Sequence, residues 1–164
     1  MSPPTTKNQK LTTLQQEIRQ SVPFDSVELG AHLNISRTAN VLAGKIQPIV
    51  KAEGLAESQY NALRIVRGAG KDGIPCLEIA ARLVTRVPDI TRLVDKLEKA
   101  GLVKRKRSTE DRRVVHIVLT AKGRKVIEKL EGPLNRTHRD NLKHMTRKEL
   151  EDLNRLLVKA RHPP

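Results

Sequence analysis

At 164 residues the chain has room for one compact domain with a helical extension, and a lone Cys76 excludes an intramolecular disulfide and fits a reducing compartment. Hydrophobic residues make up 37% of it, yet there is no Trp, one Tyr and one Phe, so Leu, Ile, Val and Ala must fill any core. A net charge of +14 points to a polyanionic partner; with no apolar run near the roughly 20 residues of a bilayer span and no secretory signal in the first 30, a soluble cytoplasmic protein is expected.

Residues 1–24 read as a polar N-terminal arm, disordered at its start, in which Leu11, Leu14 and Ile18 suggest a short amphipathic helix before Pro23. Asp25 followed by Glu28 has capping-box spacing, and Ile35, Ala39, Leu42, Ile46 and Ile49 then carry a helical stripe to Gly54. A second helix is expected from Glu57 to Arg67, with Tyr60, Leu63 and Val66 inward and the Gly68-Ala69-Gly70 run ending it. A third begins at Pro75, a residue suited to a first helical turn, and buries Ile79, Ala80 and Leu83. The fourth runs from Val87 to Ala100, where Ile90, Leu93, Val94 and Leu97 recur at helical spacing and Gly101 stands as the C-terminal cap.

After Gly101 the period changes from helical to alternating. Leu102 to Arg107, a polar turn at Ser108 to Asp111, and Val115 to Leu119 read as a two-stranded hairpin. Thr120 then caps a helix that Gly132-Pro133 is expected to bend or break, and Thr146 with Glu149 opens a last helix carrying Leu150, Leu153 and Leu157. The terminal Arg161-His162-Pro163-Pro164 looks frayed.

Helix, short helix, helix, basic hairpin is the order of a winged helix-turn-helix. The fold class expected is mainly α (α+β): residues 55–123 form the DNA-binding domain with a two-stranded wing, flanked by helices over 25–54 and 124–164. The charge agrees, because residues 101–125 hold nine Lys and Arg against Glu110 and Asp111, half of the net excess. A helix fits the major groove, where all base pairs are distinguishable, and a slim cationic probe suits the minor groove.

Candidate recognition-helix contacts are Arg86, Val87, Pro88, Asp89, Thr91, Arg92 and Lys96, which lie off the apolar stripe. Arg pairs with guanine in two hydrogen bonds, Thr is adaptable, and Val or Pro touches a thymine methyl. Candidate wing contacts are Lys104, Arg105, Lys106, Arg107, Asp111, Arg112 and Arg113, with Asp111 able to hold one guanidinium while another enters the groove. Charged residues on an outer helix face are often only solvated, and a Lys-Arg-Lys-Arg run alone is a weak signal. Their placement together, one element after the other, favours the groove.

Other chemistry finds little support. His32, His116, His138, His144 and His162 show no metal-ligand spacing, and no catalytic triad, GxGxxG or phosphate loop is present, so neither an enzyme nor a metal or cofactor is expected. Cys76, on a first helical turn, has a position that can lower a thiol pKa, although an inert small residue is the plainer reading. A non-specific architectural or RNA-binding protein is the alternative; it would account for the charge, but single-strand readers display stacking aromatics that are scarce here. A membrane-surface binder would carry its basic excess on an amphipathic helix rather than on a hairpin.

Ile79 to Leu83, Ile90 through Val103, and Asp111-Arg112-Arg113 leading to Leu119-Thr120-Ala121-Lys122-Gly123 resemble the multiple antibiotic resistance regulator (MarR) family over residues 55–123. The resemblance implies a transcriptional regulator, most often a repressor. It also implies a homodimer built from the N-terminal helix and the two C-terminal helices, with two recognition helices in successive major grooves of a pseudo-palindromic operator. By position, Asp111 would orient the wing arginines, Arg112 and Arg113 would enter the minor groove, and Thr91 and Arg92 the major groove. The family further implies a cleft for a small phenolic or other aromatic effector. Ala56 replaces a frequent capping Thr and Val84 a frequent turn Gly, so a weaker helix start and an altered turn are expected there.

Overall fold

The computed structural model describes residues 13–107 and 114–162. The chain divides into two compact units, Met1–Ala43 and Gly44–Pro164.

In the first unit, α1 (Leu14–Glu17) is a single capped turn: Thr13 Oγ1 accepts from Gln16 N while the Gln16 side chain returns to Thr13 N at 2.9 Å. Helix α2 (Val27–Lys51) starts one residue later than the capping box predicts. Ser26, rather than Asp25, accepts the Leu29 N–H at 3.1 Å, and a hydroxyl at that place meets the first-turn donors as well as a carboxylate does. On this part of α2 the predicted stripe is largely uncovered: Ile35 is 45% exposed, Ala39 is exposed and Leu42 is half-buried, and Val41 beside it is 51% exposed.

The second unit contains the end of α2, which continues through Pro48, and buries Ile46 and Val50. Gly54 takes a φ of +71° and turns the chain into α3 (Glu57–Gly68). Ala56 supplies no side-chain cap, as its lack of an oxygen requires, but Gln59 Oε1 accepts the Ala56 N–H at 2.8 Å, so half of the box survives. Tyr60, Leu63 and Val66 are buried as their spacing predicts.

A short strand, β1 (Ile74–Pro75), precedes α4 (Cys76–Arg82). Pro75 therefore belongs to the strand and caps α4 rather than sitting in its first turn. Helix α5 (Ile90–Lys99) begins after Asp89, whose carboxylate accepts the Arg92 N–H at 2.9 Å. Arg86, Val87, Pro88 and Asp89 are thus placed before the helix, correcting the expected start at Val87: Pro88 disfavours helical backbone at the residue before it, and the capping residue adopts extended dihedrals.

Strands β2 (Val103–Arg107) and β3 (Val115–Leu119) pair antiparallel from Val103 with Leu119 to Arg107 with Val115. β1 adds to the free edge of β3 through Ile74 and Ile117, so the wing sheet has three strands in the order β1-β3-β2, not two. Gly73, with φ +75°, makes that pairing possible, because a Cβ there would stand 2.4 Å from Ile117 O. Helix α6 (Ala121–Leu142) runs through Gly132 and Pro133 without the expected break. Leu130 and Leu134, buried on either side, give roughly 1.5–3 kcal/mol each and outweigh a proline penalty of about 3 kcal/mol. Helix α7 (Arg147–Arg161) has the predicted Thr146–Glu149 capping box and no buried residue of its own. Among the described residues no helix is long and apolar enough to cross a membrane.

Candidate nucleic-acid interface

Helix α5 has two faces. Leu93, Val94 and Leu97 are buried in the core with Ile79, Leu63 and Ile117, while Thr91, Arg92, Asp95 and Lys96 stand exposed. The predicted stripe is therefore correct, and it orients the opposite face by elimination. The preceding segment contributes less evenly: Arg86, Pro88 and Asp89 are exposed, Val87 packs partly against the core, and Asp89 is committed to its cap. Val84, where a glycine was the familiar residue, keeps a negative φ, and its N–H donates to Asn61 Oδ1 on α3 at 3.0 Å. That bond holds the turn between α4 and α5 without glycine, a role for Asn61 that periodicity could not reveal.

The wing root is built from the closing Leu-Thr-x-x-Gly run. Thr120 Oγ1 donates to Gly101 O at 2.8 Å, with Leu102 O an alternative acceptor at 3.0 Å, and accepts the Gly123 N–H at 3.0 Å. One hydroxyl thus caps α6 and ties it to the end of α5. Lys122 Nζ adds a charge at the same place, donating to Ala100 O at 2.8 Å, where a helix C-terminus favours a cation. His116 Nδ1 lies 2.9 Å from Asp72 O and fastens β3 to the loop before β1.

The basic strand is not uniform. Lys104, Arg105, Lys106 and Arg107 are all exposed on β2, and what separates them is pairing. Arg105 is engaged with α5: its Nη2 lies 2.6 Å from Asp95 Oδ1, its Nη1 pairs with Glu98 Oε2, and its backbone N–H donates to Glu98 Oε1 at 3.0 Å. The hydrogen bond to Asp95 is the main reason that its guanidinium is held above the usual arginine pKa. Asp95 and Glu98, three residues apart ahead of a basic strand, were the available sequence signal for this pairing. Ser108 to Arg113, including Asp111, Arg112 and Arg113, lie outside the described residues.

Cys76 is half-buried, and burial pushes its thiol pKa up, partly offset by Arg105 and a hydrogen bond with Thr91. The helix start does not lower this pKa, because desolvation outweighs both, which agrees with the plainer reading of an inert small residue. Among the described residues, no group of three or more His, Cys, Asp or Glu side chains could hold a metal.

Two concavities adjoin this face. A groove of about 420 Å³ runs between the start of α3 and α5, bordered by Ala56, Gln59, Pro88, Arg92 and Lys96. A second cavity, of about 200 Å³, has Ile46, Tyr60, Arg64, Val84, Leu134 and His138 in its wall.

The three-helix arrangement with an adjoining three-stranded wing defines a winged helix-turn-helix protein. The MarR family model matches residues 55–115. The transcriptional repressor MprA of Escherichia coli K12 is 30% identical over 119 residues, which span 66% of this chain and 68% of MprA. A MarR transcription factor from Planctomyces limnophilus is 40% identical in a crystal structure covering 83% of this chain and 98% of that one, with a TM-score of 0.63. The same fold occurs at 20% identity in the MepR–DNA complex of Staphylococcus aureus, with a TM-score of 0.71 and coverage of 79% and 94%. The chain belongs to the MarR family of transcriptional regulators.

Proposed function

We propose that this protein is a ligand-responsive repressor that binds a pseudo-palindromic operator as a homodimer. The observation that carries the reading is the division of α5: three apolar side chains anchor it, and Thr91, Arg92 and Lys96 are exposed beside a strand that exposes Lys104, Lys106 and Arg107. In this reading Thr91 and Arg92 contact base edges and Lys96 a phosphate. Arg86 and Pro88 approach the groove from the preceding loop, and Asp89 and Val87 shape the helix start. Lys104, Lys106 and Arg107 meet the backbone beside the minor groove, with Asp111, Arg112 and Arg113 as the wing-tip contacts.

Residues 55–123 would be the DNA-binding domain, and 25–54 with 124–164 the dimerisation region. The apolar side chains left exposed on α2 and α7, among them Val41, Leu156 and Val158, are what a second copy would cover. The 200 Å³ cavity is smaller than the roughly 300–1,000 Å³ of most ligand sites, so its proposed occupant is no larger than one aromatic ring, with Arg64 and His138 to meet a polar substituent. Because Val84 and Thr85 line it, an occupant would bear directly on the turn that leads into α5.

Selection of binding sites from random duplex DNA at a fixed salt concentration tests the proposal. Enrichment of an inverted repeat with half-sites about one helical turn apart is expected. Binding of all duplexes alike would leave the architectural alternative in its place.

A further inference from the structure

Arg105 sits within the most basic stretch of the chain, yet its geometry separates it from its neighbours. The side chain is 35% exposed, as is that of Glu98, and both guanidinium nitrogens named above face carboxylates of α5. Glu98 uses its other oxygen to accept the Arg105 backbone N–H. β2 is an edge strand of the sheet, so this carboxylate occupies a donor that an edge would otherwise present to solvent. Two elements proposed to enter different grooves are thereby joined at one residue.

The geometry points to Arg105 as a positioning residue that sets the wing against the recognition helix, rather than as a DNA contact. It acts through Asp95 and Glu98 in two ways. A planar fork held on two carboxylates three residues apart allows β2 little rotation about the helix. The same guanidinium also neutralises carboxylates on the side of α5 where phosphates are proposed to approach, and unpaired they would repel DNA. Lys104 and Lys106 alternate with Arg105 along the strand and remain available as contacts.

The inference rests on the operator-binding reading, and the test separates the two. Arg105→Gln, Asp95→Asn and Glu98→Gln, with their triple combination, are titrated with the selected duplex and with random duplex across a salt series. Arg105→Lys and Lys106→Gln serve as controls, and thermal unfolding establishes that each variant folds. Each of the three single variants is expected to reduce the preference for the selected duplex by about tenfold, with the triple variant no worse than Arg105→Gln, as members of one network behave. Their salt slopes stay at the wild-type value, while Lys106→Gln lowers the slope by about 0.9. Arg105→Lys recovers part of the preference. Amide exchange in β2 without DNA should accelerate in Arg105→Gln and Glu98→Gln.

A slope lowered by about 0.9 in Arg105→Gln, with tighter binding by Asp95→Asn, would make Arg105 a phosphate contact and overturn the proposal. Unchanged amide exchange would overturn it as well. If the wild type itself prefers no duplex, the operator reading fails, and the exchange experiment alone then judges whether Arg105 holds the wing.

Discussion

Gly123 and Leu102 meet without room for a side chain: a Cβ on Gly123 would lie 2.1 Å from the Leu102 carbonyl oxygen and 2.9 Å from Leu119 Cδ1. Leu102 O also accepts the Thr120 N–H at 3.1 Å, so the carbonyl belongs to the joint between α5 and α6 and cannot swing away. The closing glycine of the Leu-Thr-x-x-Gly run is required by close approach, not by φ, since it lies within a regular helix. Gly123→Ala should destabilise the protein by about 2–4 kcal/mol despite alanine's better helix propensity, read as a lowered midpoint in urea. A neutral or stabilising result would mean that the joint yields.

Thr120 serves that joint with one hydroxyl. Thr120→Val keeps the shape and removes the cap of α6 together with the tie to Gly101, so a loss of about 1–2 kcal/mol is expected. Thr146→Val removes a cap from α7, a helix with no fully buried residue, and should cost less. It should also raise the Glu149 pKa, which hydrogen bonds from the Thr146 backbone and hydroxyl now hold below the usual carboxylate value. NMR titration of Glu149 checks this. The sign follows from the depressed native value: the capping contribution is present at neutral pH and is lost as pH falls through the Glu149 pKa.

Arg92→Ala and Lys104→Ala should fail in different ways. The first removes a proposed base contact and should cost about 1–3 kcal/mol on the selected operator with little change on random duplex. The second removes a proposed phosphate contact and should weaken both, lowering the salt slope by about 0.9. Fluorescence anisotropy at several salt concentrations distinguishes them, and identical behaviour of the two variants would contradict the assigned roles.

Cys76 should be a slow thiol. Burial raises its pKa, so the thiolate fraction at neutral pH lies below that of a free cysteine, and reaction with a disulfide reagent should be slower in the native protein than in urea. A group whose folded pKa is raised stabilises the fold below its unfolded pKa and loses that contribution as pH rises through the folded value. Cys76→Ser should therefore flatten the alkaline edge of the stability profile. Fast native labelling would restore the lowered pKa expected of a helix start.

Leu156 and Val158 on α7 are 53% and 49% exposed. If a second copy covers α7, Leu156→Glu should shift sedimentation from dimer toward monomer and weaken operator binding in step, since a monomer reaches only one half-site. A dimer unaffected by this change would place the interface elsewhere.

Local spacing was sufficient for much of this protein. Ile90, Leu93, Val94 and Leu97 identify the buried face of α5, Thr120 and Thr146 identify helix starts, and the change to an alternating pattern after Gly101 identifies the hairpin. Each depends on residues within one or two turns of each other, whose backbone geometry is set by their own hydrogen bonds and apolar period. The remaining features depend on which segments become neighbours. Two residues, Ile74 and Pro75, are too short a run to show a period, and they form β1 only because Gly73 permits close approach to β3. Pro133 stays helical because Leu130 and Leu134 are both buried. Burial, a property of the surroundings, raises the Cys76 pKa. Arg105 looked the same as Lys104 and Lys106 in the sequence, where charge has no direction. Only the folded chain, by bringing Asp95 and Glu98 within hydrogen-bond reach, distinguishes the arginine paired with α5 from the lysines on either side of it.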